Sequence, residues 1–356
     1  MTGGVAWRPG AGGAAAAPAG TPRGAGGGTA SAAEPGTTKG AARRAGDVTV
    51  VSFGGNALLP RGSRGTAAEQ LAAARRACAP LAGLLREGAR LLVVFGNGPQ
   101  VGQELLRSHA ARAEVPPSSL DACVASTQGT MGYVLELALR AELAAAGLPT
   151  PVSSVLTLVR VDAGDPAFAA PDKPVGPYYG EAEAGRLRRE RSWRMAEADG
   201  GWRRVVASPR PLELVDAAAV AALLAAGHVV VAGGGGGIPV ARRDDGTLSG
   251  VEAVVDKDRT AALLARTVGA GDLVDLTTVD FVYRGHGTPR AKPLPRLTAA
   301  EARRLHAAGE FPPGSMGPKI EAALDFLAGG GRSVLITALP RLAEGLRGEV
   351  GTRIVP

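Results

Sequence analysis

Lysine is scarce in this chain. Of its 40 basic residues only five are Lys (Lys39, Lys173, Lys257, Lys292 and Lys319), and the rest are Arg. Arg is a planar fork, whereas Lys is a compact point charge that can meet a single phosphoryl oxygen. Where Arg is the default cation, each Lys invites a question. Cysteine is scarcer still, with Cys78 and Cys123 alone. Both sit in apolar helical patterns, which excludes a disulfide framework and fits free buried thiols in a reducing cytoplasm. Aromatics make up only 4% of the 356 residues, and the net charge of +7 is scattered among acids without a dense basic run. That balance suits anionic small ligands and argues against a nucleic-acid partner. The four His (His109, His228, His286 and His306) show no metal-ligand spacing, so no protein-held metal site is expected. No apolar run approaches the roughly 18–20 residues that span a bilayer, and no membrane partner is expected. Arg43-Arg44 is followed by a strand-like run and a glycine motif, not by the apolar region of a signal peptide.

Glycine and proline are abundant, at 52 and 26, and much of the excess lies in residues 1–46. That segment has almost no large apolar side chain, so burial cannot offset ordering entropy, and a disordered tail is expected. From Asp47 the pattern alternates. Strands are expected at 48–53, 91–95, 152–159, 229–232, 272–279, 333–337 and 352–355. Helices are expected at about 66–87, 120–146, 212–226, 257–268, 298–308 and 318–327. The alternation predicts an α/β fold, a three-layer α/β/α sandwich around a mostly parallel sheet. Residues of about 160–205 break the rhythm with Pro, Gly and charge, and read as a small protruding subdomain or lid.

Three glycine-rich segments follow apolar strands: Gly54-Gly55-Asn56, Gly96-Asn97-Gly98, and the run from Gly233 to Gly237. Beyond the carboxyl ends of parallel strands, glycine lets backbone N–H groups approach an anion closely. One such loop is no more than a tight turn, but three at equivalent points suggest one site for several anionic oxygens. The Walker pattern is absent, and the five-glycine run is a poor dinucleotide motif. Cations must then come from elsewhere. Lys257 lies between Asp256 and Asp258, Lys319 sits where a helix begins, and Lys173 lies in the irregular insert. Any one of these can be a solvated surface charge. Together they offer what phosphoryl transfer needs, which is alignment and neutralisation of charge on the transferred oxygens. No G-x-S-x-G elbow points to hydrolase chemistry.

The motifs resemble those of the carbamate kinases, within the amino-acid-kinase superfamily. The matching segments are SFGGNALL (52–59), GNGPQVG (96–102), STQGTMGYVLELAL (126–139), DPAFAAPDKPVGPYY (165–179), WRRVVASPRP (202–211), GGGGIPV (234–240), GVEAVVDKDRTAALLA (250–265), LTTVDFVY (276–283), PPGSMGPKIEAALDFL (312–327) and GTRIV (351–355). They are colinear from about residue 47 to the C-terminus. The resemblance implies the reversible reaction ATP + carbamate ⇌ ADP + carbamoyl phosphate with Mg²⁺, often run toward ATP at the end of arginine breakdown. It also implies a homodimer, an N-terminal lobe (47–228) for carbamate or carbamoyl phosphate, and a C-terminal lobe (229–356) for ATP or ADP.

Carried over by position, Gly54, Gly55, Asn56, Gly96, Asn97 and Gly98 would hold the carbamate and transferred phosphoryl, with Gly235 and Gly236 beside them. Lys173 would reach over carbamoyl phosphate from the insert. Lys257 and Lys319 would contact the β- and γ-phosphates, and Asp258 would orient these lysines. Thr277, Val279, Asp280, Tyr283 and Met316 would border the adenine. The chain departs from the family pattern at Phe95, usually His, at Arg210, usually Lys, and at His286-Gly287-Thr288-Pro289, usually Tyr-Gly-Lys-Pro. The readings that compete are another amino-acid or nucleoside-monophosphate kinase of the same superfamily, which the Lys173 insert disfavours, and, from a different class, a non-catalytic sensor of nucleotide or carbamoyl phosphate, which loss of a lysine would favour.

Overall fold

The computed structural model describes residues 46–60, 63–198, 200–312 and 314–356. Apart from Gly46, the expected tail lies outside the described residues. Eight strands form the main sheet: β1 (Val48–Phe53), β2 (Arg90–Phe95), β3 (Val152–Ser154), β4 (Val229–Val231), β5 (Asp272–Thr277), β6 (Arg296–Thr298), β7 (Ser333–Ala338) and β8 (Thr352–Val355). Their spatial order is β6-β8-β7-β5-β1-β2-β4-β3. Every neighbouring pair is parallel except β7 with β8.

Ten α-helices accompany the sheet among the described residues: α1 (Ala67–Cys78), α2 (Leu81–Arg86), α3 (Gly98–Ala110), α4 (Leu120–Ala145), α5 (Glu181–Arg191), α6 (Ala217–Ala225), α7 (Lys257–Thr267), α8 (Ala299–Ala307), α9 (Met316–Ala328) and α10 (Leu342–Arg347). Alternation along the strands sorts their side chains to two faces. Val51, Phe53, Val93, Phe95, Val274 and Leu276 pack with α1, α2, α4 and α10. Val50, Leu92, Val94, Leu273, Val334 and Ile336 pack with α6, α7, α8 and α9. The two cores, one on each side of the sheet, give the expected three-layer α/β/α sandwich.

Several elements depart from the expected boundaries. The helix read over 66–87 is two helices, because Pro80 interrupts the ladder after Cys78. Its start is fixed by a capping box between Thr66 and Glu69. Helix α3 is an element for which no helix is expected from the sequence; it starts within the glycine segment after β2, and Pro99 sits in its first turn, where no N–H partner is needed. The strand read over 152–159 splits, with 152–154 in the main sheet and Leu158–Arg160 in a separate four-stranded sheet. The irregular insert contains a three-stranded antiparallel sheet, Lys173–Tyr179, Gly201–Val206 and Met195–Ala198, with α5 across it. Guanidinium groups cover its indoles, Arg188 on Trp202 and Arg191 and Arg204 on Trp193. This subdomain docks on α3, where Gly176 meets Gly102 backbone to backbone.

Candidate active site

The glycine segments lie where the sequence places them, at the carboxyl ends of β1, β2 and β4. At Gly55, Gly96 and throughout the five-glycine run they pack too tightly for a side chain, whereas Gly54 and Gly98 have open space beside them. A Cβ on Gly55 would lie 2.8 Å from the Gly96 carbonyl oxygen, and one on Gly235, at φ +67°, would lie 2.2 Å from the Asn97 amide. Side chains from elsewhere pin the five-glycine run. Gln128 of α4 donates to the Gly234 carbonyl at 2.8 Å and Thr260 of α7 to the Gly236 carbonyl at 2.8 Å. The Gly233 N–H donates to Thr157 Oγ1 at 3.0 Å. Phe95, in place of the family's usual His, is buried beneath this loop. A Cβ on Gly234 would lie 2.2 Å from its ring.

Asn97 and Gln100 face the same segments. Asn97 Nδ2 donates to Thr127 Oγ1 at 2.9 Å, and Gln100 Nε2 donates to the Gly55 carbonyl at 3.3 Å. These partners fix which end of each amide points where. The carbonyl oxygens, Asn97 Oδ1 and Gln100 Oε1, are buried without a hydrogen-bond partner.

The three singled-out lysines converge on three aspartates. Asp256 caps α7 by accepting from the N–H groups of Asp258 and Arg259. Its other oxygen receives Lys173 Nζ of the insert. Lys257, the first residue of α7, donates to Asp258 and, at 3.2 Å, to Ser52 Oγ of β1. Lys319, in the first turn of α9, donates to Asp258 at 3.3 Å and to both oxygens of Asp275 at 2.8 and 3.1 Å. Ser52 and Asp275 are register partners on adjacent parallel strands, so the sheet itself sets their spacing.

Burial opposes charge throughout this cluster, and the pairing decides which groups keep theirs. For Asp258 burial is outweighed by the Lys257 and Lys319 ammonium groups, which hold its carboxyl below the usual range. Burial of Asp256 is likewise outweighed by Lys173, and its carboxyl is depressed. For Asp275 burial and the Asp258 charge win, and its carboxyl is pushed up. Burial opposes the Lys319 charge, yet Asp258 and Asp275 raise its pKa above the ordinary lysine value.

Beside the cluster lies a cavity of about 160 Å³. Thr277, Val279, Tyr283 and Met316 line it as the resemblance implies, with Phe281, His286, Phe311 and Lys319. Tyr283 stands edge-on to Phe281, with ring centroids 6.3 Å apart, and near His286 at 5.8 Å. Asp280 is not among the lining residues; it pairs with Arg341 at 3.2 Å. Arg210 is exposed and pairs with Asp325 at 2.6 Å. Asn56 stands exposed beside buried Gly55.

Sequence reasoning missed Asp275, Gln100, Gln128 and the aromatics Phe281, His286 and Phe311. Gln100 and Gln128 lie inside quoted motifs, which was a usable signal. Asp275 carried none, being one of two acids, with Asp272, in an otherwise largely apolar strand.

A model of the amino acid kinase family matches residues 47–338. The carbamate kinase of Thermococcus kodakarensis is 42% identical over 310 residues, covering 86% of this chain and 98% of that protein. Carbamate kinase 2 of Enterococcus faecalis is 43% identical over 310 residues, with 86% and 98% covered. The solved structure of carbamate kinase from Giardia lamblia bound to AMP-PNP superposes with a TM-score of 0.81 at 36% identity, covering 87% of this chain and 99% of that one. The chain belongs to the amino acid kinase family and, within it, to the carbamate kinases, which makes it a phosphotransferase.

Proposed function

We propose that the chain catalyses ATP + carbamate ⇌ ADP + carbamoyl phosphate and that it runs toward ATP in the cell, at the end of arginine breakdown. The observation that carries the reaction is the double role of Lys319. It lines the aromatic cavity and also sits in the lysine–aspartate cluster. A nucleotide with its base in that cavity would extend its phosphates across Lys319 toward Lys257. The complex of a relative with AMP-PNP supports a nucleotide as ligand.

In the direction of ATP synthesis a terminal β-phosphate oxygen of ADP attacks the phosphorus of carbamoyl phosphate. The bond from phosphorus to the carbamoyl oxygen breaks, and carbamate leaves with the electron pair. Negative charge spreads over the equatorial oxygens, where Lys257, Lys319 and the glycine N–H groups stabilise it. Lys173 covers the carbamoyl end. Among the described residues no three His, Cys, Asp or Glu side chains form a cation cage. The crevice carboxylates are held by lysines, a donor set that fits magnesium carried in on the nucleotide phosphates.

The two-lobe division follows from this pose, with carbamoyl phosphate at the loops after β1 and β2 and nucleotide beyond β5. We also propose a homodimer. Tyr133 and Leu137, one turn apart on α4, are 63% and 40% exposed, and nearby Leu156 is 56% exposed beside edge strand β3. Two buried free cysteines are in keeping with a reducing cytoplasm.

Purified chain with ADP and carbamoyl phosphate should yield ATP. If acetyl phosphate serves as donor and carbamoyl phosphate does not, the substrate assignment is wrong.

A further inference from the structure

Asp275 lies on β5 between Val274 and Leu276, inside the main sheet, with β1 on one side and β7 on the other. Its register partners are Ser52 and Ile336. Its side chain is only 6% exposed. A carboxylate there is expensive to desolvate, and a strand of this kind ordinarily carries an aliphatic residue at such a position. The alternation of β5 turns Asp275 toward the face covered by α7 and α9, the helices whose first turns carry Lys257 and Lys319.

Both ammonium groups stand at positive helix ends, which repel them. Asp258 alone would have to hold both. Asp275 shares the task. It takes Lys319 Nζ with both oxygens at 2.8 and 3.1 Å and stands 3.7 Å from Lys257 Nζ. Ser52 supplies the third contact to Lys257. Each lysine is therefore bracketed by two carboxylates on different elements, one on a helix and one on a central strand.

We propose that Asp275 is a second positioning carboxylate of the phosphoryl-transfer site, fixing the Lys319 and Lys257 ammonium groups to the sheet so that both meet the transferring oxygens in register. Asp275 touches neither nucleotide nor carbamoyl phosphate and acts through the lysines. The proposal rests on the phosphoryl-transfer reading of this site. A charge that is present but misplaced costs rate more than it costs binding.

The test measures ATP formation from ADP and carbamoyl phosphate by the full chain. It compares wild type, Asp275→Asn, Asp275→Glu, Lys319→Met and the Asp275→Asn/Lys319→Met pair, with thermal unfolding of each. Wild-type turnover tests the reaction itself; each variant, scaled to wild type, tests Asp275. Asp275→Asn should lower kcat at least about 10-fold while KM for ADP moves less than about threefold. On the Lys319→Met background the same change should cost less than about threefold, because the two contacts to that lysine are already gone and only the 3.7 Å approach to Lys257 remains. Losses that multiply in the pair, or kcat within about twofold of wild type in Asp275→Asn, overturn the proposal. Asp275→Glu keeps the charge but shifts it by one methylene, and should fold with lowered kcat even where Asn does not. Full kcat in Asp275→Glu, or failure of both single variants to fold, also overturns it.

Discussion

Gly102 on α3 and Gly176 in the insert meet without a side chain between them: a Cβ on Gly102 would lie 1.9 Å from Gly176 Cα and 2.5 Å from its nitrogen. Both obstructing atoms are backbone, so relief requires the insert to lift from the helix. Lys173 begins the same strand as Gly176 and would move with it. Gly102→Ala should therefore lower kcat/KM for carbamoyl phosphate at least about 10-fold and cost about 1–3 kcal/mol in stability. Steady-state kinetics and thermal unfolding check both. Gly83→Ala within α2, where an added Cβ meets nothing within 4 Å, is the control and should leave stability unchanged or raised.

Lys257→Ala and Lys319→Ala should each reduce kcat by about 10²–10³, the loss expected for one preorganised charge donor. Near-normal turnover in both would remove them from the chemistry. Each change also strips a counter-ion from buried Asp258, so the comparison is made on variants shown to be folded by circular dichroism.

Neither thiol should react in the native enzyme. Burial, followed by the charge of Glu142, pushes Cys78 up to about 12. Burial, followed by Glu104, pushes Cys123 up to about 11. Iodoacetamide near pH 8 should leave activity unchanged and label neither cysteine until denaturant is added, as read by mass spectrometry. Stoichiometric native labelling would contradict the buried placement.

The insert should loosen in mild acid. His109 stands edge-on to Trp193, with ring centroids 5.3 Å apart. Burial, then Arg191, Arg204 and Arg112, hold its pKa below the ordinary 6.5. The unfolded chain thus binds this proton more readily, and stability falls as pH drops from about 6.5 through the folded value. His109→Phe should flatten the dependence of Tm on pH between about 7 and 5. An unchanged slope would place the acid sensitivity elsewhere.

The sheet and the crevice were legible for physical reasons. Val48–Phe53 and Arg90–Phe95 are buried strands capped by glycine, a pattern that depends only on neighbours in sequence. Lys173, Lys257 and Lys319 stood out because Arg is this chain's default cation. Asp275 did not, because its partner Lys319 lies 44 residues away and no motif joins them. The break after Ser154 was hidden for a similar reason. It is set by Gln128, whose Oε1 accepts the Thr157 N–H at 2.6 Å and turns the chain out of the main sheet. Long-range partners of this kind leave no local periodicity to read.

The glycine run after β4 shows only peptide groups to the crevice. Added Cβ atoms at Gly234, Gly235, Gly236 and Gly237 would come within 2.2 Å of Phe95, Asn97, Val255 and Val159. Four consecutive positions thus have no tolerated alternative, and selection has no side chain there to vary. This wall of the crevice is chemically uniform: it can offer a ligand peptide N–H and C=O groups and nothing else. Side-chain chemistry enters the crevice instead from the insert, through Lys173, and from the residues that line the aromatic cavity.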